Sequence, residues 1–279
     1  MSVSSAIPEK GLSRFVYEMR EGGRKQSNIV FALLFREIKT RSKEENYGLL
    51  SLVGVALEPA ISVLVLAAFF YLLRTDEMMG VPVVLFIAVS MTAFSVIRRC
   101  LSTVPRTMAA TRAFYAYPNV KPIDAVLARF ILEMALTILG GILVLLFLWW
   151  FMDLTISNEY ILHALGIFLM LLAAGFGISL VLAVYGMRFP FLLKAMPPIT
   201  RVLFITSAVI HPAAELPSRA QWYIALNPFA HAMELLRLYT LQMPPFPGAS
   251  FRLFAFFCLA CLFLGLISYY GNRTKVLEL

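Results

Sequence analysis

"IDAVLARFILEMALTILGGILVLLFLWWFM", residues 123–152, decides the fold of this chain. The stretch is 30 residues long, and no charged side chain follows Glu133 before it ends. About 20 consecutive apolar residues, rising about 1.5 Å per residue, are enough for a helix to cross the hydrocarbon core of a bilayer. The stretch therefore predicts a membrane-spanning helix.

The composition of the whole chain points the same way. Of its 279 residues, 60% are hydrophobic and only 14% are charged, and the mean hydropathy is +0.81. Soluble domains have roughly 45–50% apolar and about 25% charged residues, so these values indicate an integral membrane protein. The net charge of +8 could suggest nucleic-acid binding, but the basic residues stand in short segments between apolar runs. We therefore expect no nucleic-acid partner.

Six apolar stretches have about the length that a spanning helix needs. The first 28 residues are polar and lack an apolar core, so no cleavable signal is visible and the first span is expected to anchor the chain. We predict an all-α integral membrane protein with six transmembrane helices. The stretches are 52–73, 81–97, 123–152, 161–185, 195–211 and 251–270.

The distribution of lysine and arginine predicts the orientation of these spans, because cytoplasmic connections carry an excess of both. Residues 1–50, 98–122, 186–201 and 271–279 hold nine, five, three and two of them, which is 19 of 24. Both termini are therefore expected in the cytoplasm. We divide the chain into a cytoplasmic N-terminal segment, 1–50, and a six-helix transmembrane domain, 51–279.

A further helix is expected from Asn28 to Tyr47, before the first span. Its apolar half, NIVFALLF, is followed by a charged half, REIKTRSKEEN. This pattern suits an amphipathic helix that lies in the cytoplasmic interface of the membrane. The alternative is a solvated entry to the first span.

Residues 212–250 interrupt the six-helix pattern. The pieces LPSRAQWYIAL and FAHAMELLRLY, of about 11 residues each, are too short to span and are joined by Asn227-Pro228. Pro228 disfavours helix at Asn227 but starts the next helix well. We predict two short re-entrant helices on the outer side, before the last span. Such backbone is tolerated where it is buried in protein or lines a hydrated cavity, so we expect a translocation path beside residues 195–240.

Several ionisable side chains lie within the apolar stretches, and we single out four of them. A charge at the centre of a spanning helix costs about 2.5–3.5 kcal/mol on insertion scales, so each is a candidate functional group. Arg129 and Glu133 are four residues apart, and we expect an ion pair on one helix face. Glu58 and Arg201 either belong to the path or extend to the interface, and the sequence favours neither.

Asn227, His231, Glu234 and Arg237 would share one face of a helix. A tightly held metal needs three or four ligands, whereas only His231 and Glu234 are offered here, so we expect neither a metal site nor a catalytic site. Our hypothesis is structural: Glu234 is held by Arg237 or His231, and Asn227-Pro228 forms the tip of the hairpin.

Signatures of nucleotide binding and catalysis are absent from the sequence. It contains no GxxxxGK[ST], no HExxH and no GxSxG. Cys258 and Cys261 form a C-x-x-C inside an apolar stretch without further ligands, which favours small helix-packing residues over a metal site. We expect no cofactor in this chain.

Four separated motifs carry a family resemblance. Over residues 28–270 the chain resembles the membrane subunit of a type 2 ATP-binding-cassette exporter, and it is most similar to the capsular polysaccharide export permeases of Gram-negative bacteria. The motifs are FREIKTR at 35–41, LEPAISVLVLAAFFYLL at 57–73, YPNVKPIDAVLARFILE at 117–133 and LNPFAHAMELLR at 226–237.

The resemblance implies a permease subunit rather than an enzyme. It implies a homodimer in the bacterial inner membrane, with two cytoplasmic ATPase subunits that bind ATP and Mg. The implied cargo is an acidic, lipid-linked capsular glycan, passed on to periplasmic and outer-membrane export proteins. Other lipid-linked glycans, such as O-antigen or teichoic acid, are alternatives. A secondary carrier or a membrane-embedded enzyme are further alternatives.

The resemblance also implies a coupling helix in the first cytoplasmic loop. Segment 98–122 holds five basic residues and no acidic residue, and its aromatic side chains could dock in a groove of a soluble partner. ATP-driven closure would push this loop and the helix at 29–46, although an orienting role alone would also explain the charge. We expect Tyr115 and Tyr117 to form an exposed pair. The candidate coupling residues are Arg36, Arg106, Arg112, Phe114, Tyr115, Tyr117, Pro118 and Asn119.

A polyanionic glycan needs a wide, hydrated path with basic and aromatic walls. Aromatic faces stack on sugars, and arginine binds carboxylates. Tryptophan and tyrosine near an outer interface are, alternatively, typical anchors of the aromatic belt. The candidate path residues are Glu58, Arg74, Arg201, Trp222, Tyr223 and Arg237.

Overall fold

The structure is a computed structural model, which describes residues 11–44, 50–72, 77–116 and 120–278. Almost all of these residues are helical, so the prediction of an all-α protein is confirmed. The helices are α1 (Gly11–Glu44), α2 (Leu50–Leu72), α3 (Val83–Ser102), α4 (Thr107–Ala110), α5 (Pro122–Met152), α6 (Ile161–Arg188), α7 (Pro190–Thr206), α8 (Ser218–Ala225), α9 (Pro228–Leu241) and α10 (Phe251–Glu278).

A short antiparallel hairpin precedes α3. Its strands are β1 (Glu77–Met78) and β2 (Val81–Pro82). The two turn residues, Met79 and Gly80, have φ of 51° and 78°, a left-handed pair that matches the twist of a tight hairpin. The buried Met78 side chain holds the hairpin against the neighbouring helices.

Four segments of the described chain are long and apolar enough to cross a membrane. They belong to the second, third, fourth and sixth of the predicted stretches. The remaining two stretches form α2, with 23 residues, and α7, with 17 residues and an internal Pro197-Pro198. The described residues therefore include four helices with the length and apolar composition of a membrane span. The full set of six spans stays a prediction. The four are Val83–Ala110, Pro122–Met152, Ile161–Arg188 and Phe251–Arg273.

Helices α6 and α10 approach each other closely because glycines lie between them. A Cβ atom at Gly177 would lie 2.3 Å from the carbonyl oxygen of Cys261, and one at Gly265 would lie 2.5 Å from the carbonyl oxygen of Gly177. Small residues let spanning helices pack backbone to backbone. Cys258 and Cys261 are buried on α10, in agreement with the predicted helix-packing role.

Helix α9 lies inside the bundle, against α3, α6 and α10. Every residue from Phe229 to Arg237 is buried. Helix α8 instead lies at the surface, with Trp222 and Tyr223 exposed. The two short helices predicted before the last span are therefore present and are joined at Asn227-Pro228, but only the first has the exposure of an interfacial segment. Re-entry from the outer side stays a prediction.

Helix α1 begins at Gly11, so it is longer than the helix predicted to start at Asn28. The predicted helix began where the apolar residues begin. The turns before Asn28 are polar, and they are supported by an i,i+4 ion pair between Glu21 and Lys25 at 2.8 Å. A location of this helix in the membrane interface stays a prediction. Val30 and Leu33 pack against α5, while Phe31 and Phe35 are exposed.

Candidate translocation site and coupling surface

A cavity of about 650 Å³ lies between α2, α3 and α7. Three arginines line it, Arg98, Arg106 and Arg201, and none of the other lining residues is acidic. This volume is typical of a small-molecule site. The other lining residues are Ser62, Met91, Phe94, Ser95, Ser102, Thr103, Pro197, Thr200, Phe204, Ile205 and Ile210.

Most hydroxyl groups of this cavity donate their hydrogen within their own helix. Ser62 donates to the carbonyl oxygen of Glu58 at 2.9 Å, and Ser102 to that of Arg98 at 2.6 Å. Ser95 and Thr200 donate in the same way, four residues back. Hydrogen-bond donors for a ligand therefore come mainly from the guanidinium groups, which favours an anionic ligand.

One of the predicted path residues lines this cavity, and a second contacts a lining residue. Arg201 lines it, and Glu58 reaches it through Arg98, whose Nη1 donates to Glu58 Oε1 at 2.5 Å. Glu58 therefore pairs with arginines of the next helix rather than extending alone to the interface. Trp222 and Tyr223 are exposed on α8 and do not line the cavity, and Arg74 lies outside the described residues.

A buried arginine connects α2, α3 and α5. The Arg99 side chain is 5% exposed and donates to Glu58 at 3.0 Å and to Glu133, which is fully buried, at 2.5 Å. Glu133 also pairs with Arg129 at 2.9 Å, so the i,i+4 ion pair predicted from the sequence is confirmed. Charges removed from water are stable only when they are paired in this way.

The same ion pairs continue to α1. Arg129 donates to Glu37 at 2.6 Å, and Glu37 accepts from Arg36 at 2.7 Å. The Arg36 guanidinium lies 4.1 Å from the centre of the Phe114 ring. A continuous series of charged contacts thus joins the cavity to the loop between α3 and α5. We call its seven side chains the charge chain: Arg98, Glu58, Arg99, Glu133, Arg129, Glu37 and Arg36.

The loop between α3 and α5 forms two 3-10 turns, Val104–Arg106 and Arg112–Ala116, on either side of α4. Met108 is fully buried, so the loop is fixed to the bundle. Arg106, Arg112 and Phe114 are exposed, and Phe114 contacts Arg36, so predicted coupling residues from two separate segments lie together. Tyr117, Pro118 and Asn119 lie outside the described residues.

Tyr115 is not exposed, and this part of the prediction is wrong. Its side chain packs inward, and its hydroxyl donates to the Met108 carbonyl oxygen at 2.9 Å and lies 2.8 Å from the Thr111 hydroxyl. Burial raises the pKa of Tyr115 to about 12. The tight 3-10 turn directs Tyr115 inward and its neighbour Phe114 outward, so Phe114 is an aromatic side chain of the described loop residues that is open to a partner.

Glu234 and Arg237 form an ion pair at 2.5 Å inside the bundle. Arg237 also donates to the Ala208 carbonyl oxygen at 2.7 Å and lies 4.6 Å from the centre of the Phe86 ring. Glu234 also accepts from the Ala213 backbone N–H at 3.2 Å. Arg237 is therefore engaged in holding α9 and does not line this cavity, and the path role predicted for it stays a prediction.

His231 contacts the backbone rather than Glu234. Its Nε2 donates to the Ala225 carbonyl oxygen at 3.0 Å, and its Nδ1 accepts from the Ser250 N–H at 3.3 Å. Of the two partners that the hypothesis offered Glu234, Arg237 is therefore correct and His231 is wrong. Within the described ranges, no three His, Cys, Asp or Glu side chains lie together as a metal site requires.

Asn227 fixes the junction between α8 and α9. Its Oδ1 accepts from the Phe229 N–H at 3.0 Å and so caps α9, while its Nδ2 donates to Ser207 at 2.9 Å. Pro228 occupies the first helical position, as predicted. The junction is thereby tied to the end of α7.

Arg98 and Arg99 were missed as site residues, because they counted only towards the orientation of the spans. A signal was present in the sequence. Glu58 lies near the start of one apolar stretch and needs a cationic partner. The two arginines directly follow the next stretch. Because consecutive spans are antiparallel, the end of the second stretch reaches about the same depth as the start of the first.

The fold and the site define a helical membrane protein with an arginine-lined cavity, and the chain belongs to the ABC-2 type transporter family, whose model matches residues 29–241. The chain is 28% identical to the polysialic acid transport protein KpsM of Escherichia coli over 263 residues, which are 92% of this chain and 98% of that protein. It is 28% identical to the capsule polysaccharide export inner-membrane protein CtrC of Neisseria meningitidis serogroup B over 217 residues, 76% of this chain and 78% of that protein. The capsule polysaccharide export inner-membrane protein BexB of Haemophilus influenzae is 23% identical over 218 residues, with the same two shares. The resemblance seen in the four motifs is confirmed.

Proposed function

We propose that this protein is the transmembrane subunit of an ATP-driven exporter that moves an acidic, lipid-linked capsular polysaccharide from the cytoplasm across the bacterial inner membrane. The observation that carries this proposal is the similarity to a polysialic acid transport protein over 92% of the chain. The arginine-lined cavity supports an anionic cargo, because guanidinium groups bind carboxylates and phosphates through paired hydrogen bonds.

The proposed topology has six spans, α2, α3, α5, α6, α7 and α10, with both termini in the cytoplasm. The distribution of lysine and arginine supports this orientation. Pro197-Pro198 lies inside α7, where neighbouring helices can satisfy the backbone groups that proline leaves without partners. Helices α8 and α9 would enter from the outer side and return, with α9 enclosed by α3, α6 and α10.

The proposed assembly is a homodimer with two cytoplasmic ATPase subunits, which bind ATP and Mg. Exposed basic and aromatic side chains at Arg106, Arg112 and Phe114 supply a docking surface for such a subunit. We expect periplasmic and outer-membrane export proteins to receive the polysaccharide beyond the inner membrane.

The contact between Arg36 and Phe114 suggests how ATP hydrolysis is coupled to export. A movement of the cytoplasmic loop would displace Phe114 and, through Arg36, the α1 helix. Glu37 joins α1 to Arg129 of α5, so the displacement would reach the membrane part through short ion pairs. Packed helices joined in this way move as rigid bodies rather than bending.

The decisive experiment is purification of the chain from its native membranes, followed by an ATPase assay and by analysis of polysaccharide in a deletion strain. We expect an ATPase to copurify and the deletion to leave lipid-linked polysaccharide in the cytoplasm. Export that continues without any ATPase would indicate a secondary carrier. Loss of another lipid-linked glycan from the cell surface, with the capsule intact, would replace the proposed cargo.

A further inference from the structure

The cavity between α2, α3 and α7 carries an excess of positive charge. Arg98, Arg106 and Arg201 line it. Within the described part of the chain, no carboxylate lies at ion-pair distance from Arg106 or Arg201, whereas Arg98 pairs with Glu58 at 2.5 Å. Two of the three guanidinium groups are therefore open to an anion.

The cavity also changes from polar to apolar along α3. Met91 and Phe94 line it on the side of the helix N-terminus, and Arg98 follows Met91 after about 10 Å of helix. Arg106 lies still farther along the chain, beyond the end of α3. A ligand with an acidic head group and an apolar chain matches this order.

The pair between Arg98 and Glu58 is the exposed end of the charge chain. The Arg98 and Glu58 side chains are 36% and 41% exposed, whereas those of Arg99 and Glu133 are buried. If Arg98 turned to another anion, Glu58 would keep Arg99, which it contacts at 3.0 Å. The exchange would therefore leave neither carboxylate nor guanidinium without a partner.

We propose that this cavity binds the acidic head group of an anionic amphiphile, and that the head group replaces the Glu58 carboxylate on Arg98 while Arg99 retains Glu58. Glu58 is then an internal competitor that keeps Arg98 paired until the ligand arrives. The inference rests on the proposed function, in which the lipid-linked acidic glycan is such an amphiphile. A bulk anionic phospholipid shares the same chemistry.

The test measures binding of a fluorescent dodecyl phosphate to the permease with its ATPase in nanodiscs of phosphatidylcholine. Fluorescent dodecanol with the same label is the neutral probe. The variants are Arg98→Gln, Arg98→Lys, Glu58→Gln and, as a matched control outside the cavity, Arg188→Gln. Thermal unfolding of each complex verifies that it is folded.

We expect saturable binding of the phosphate probe and not of the neutral probe. Arg98→Gln should weaken binding at least about tenfold and Arg98→Lys less, because lysine keeps the charge but not the paired donors. Glu58→Gln should tighten binding several-fold, since the competing charge is removed. A purely structural Glu58 would give weaker binding in this variant. Weaker or unchanged binding of the phosphate probe to Glu58→Gln would overturn the proposal, and so would equal binding of the phosphate and neutral probes to the wild type.

Competition separates the two sources of the ligand. Lipid-linked polysaccharide purified from the bacterium that makes this protein should displace the probe at a lower concentration than phosphatidylglycerol does. Displacement by phosphatidylglycerol alone would assign the site to bulk lipid and remove it from the export route. Export in cells and copurification of the ATPase test the proposed function separately, so either idea can fail while the other stands.

Discussion

Glu234→Ala should strongly destabilise the protein. The Glu234 and Arg237 side chains are 4% and 2% exposed, so the substitution leaves a buried guanidinium without its carboxylate. Arg237 would keep only the Ala208 carbonyl oxygen, the Ser90 hydroxyl at 3.4 Å and the Phe86 ring. Breaking a buried pair from one side costs about 3–5 kcal/mol.

Glu234→Gln is the matched conservative variant. The amide oxygen of glutamine can still accept from Arg237 and from the Ala213 N–H, and only the charge is lost. Because hydrogen bonds to a charged group are stronger than neutral ones by roughly 1 kcal/mol, we expect a cost of about 1–2 kcal/mol. Export should be largely retained with Gln and strongly reduced with Ala or with Pro228→Leu.

Thermal unfolding in detergent gives the measurement. The three cysteines of the sequence are buried, so a thiol-reactive dye reports unfolding. In chains of about 150–250 residues, 1 kcal/mol corresponds to roughly 2–4 °C, so Glu234→Ala should unfold at least about 6 °C below the wild type. A double variant, Glu234→Gln with Arg237→Met, should unfold above Glu234→Ala because no buried charge is left alone.

The result that would refute this reasoning is equal unfolding temperatures for Glu234→Ala and Glu234→Gln. Charge pairing would then not be what holds α9 in place. Addition of a chelator should not change the unfolding temperature, since both ring nitrogens of His231 contact backbone groups. A chelator-dependent loss of export at constant ATP and Mg, with stoichiometric zinc in the pure protein, would replace the structural role with a metal site.

Three further predictions concern packing, coupling and topology. Gly177→Ala should lower the unfolding temperature, because its Cβ would lie 2.3 Å from a backbone oxygen of α10. Gly166→Ala lies on the same helix with nothing within 4 Å of its Cβ, so it should leave the unfolding temperature unchanged. Equal effects of the two substitutions would contradict the packing described. Phe114→Ala should reduce copurification of the ATPase by at least about tenfold, because an aromatic interface anchor contributes about 2 kcal/mol. Normal copurification would exclude Phe114 from the interface. Single cysteines can be placed at the exposed positions Asn158 and Ala113 of a chain without native cysteines. They should react with an impermeant thiol reagent from opposite sides of the membrane. Labelling of both from the same side would refute the six-span topology.

The fold was predictable wherever apolarity alone decides the structure. The stretch at 123–152 became α5 with an error of one residue at its start. The N-terminal helix was less predictable, because its first turns are polar and long apolar runs were the signal used. Helix α9 shows a second limit: helical spacing could place Glu234 beside Arg237, but it could not identify the Ala208 carbonyl oxygen as a further partner of Arg237 inside the bundle.

Helical spacing predicted the candidate site only where the interacting residues are close in sequence. Arg129 and Glu133 are four residues apart on one helix, so their ion pair followed from helical spacing. Glu58 and Arg99 are 41 residues apart, and only the packing of α2 against α3 brings them together. No spacing rule predicts such a pair from the sequence.

The charge chain has a consequence for the order in which the protein is made. Glu58 is synthesised before Arg98 and Arg99, and all three precede Glu133. A lone charge costs about 2.5–3.5 kcal/mol when its helix enters lipid by itself, so α2 and α3 are expected to leave the insertion machinery as a pair. Arg99 gains its second carboxylate only when α5 arrives. Biogenesis of this permease should therefore proceed in multi-helix units, with release into the bilayer coupled to the formation of ion pairs.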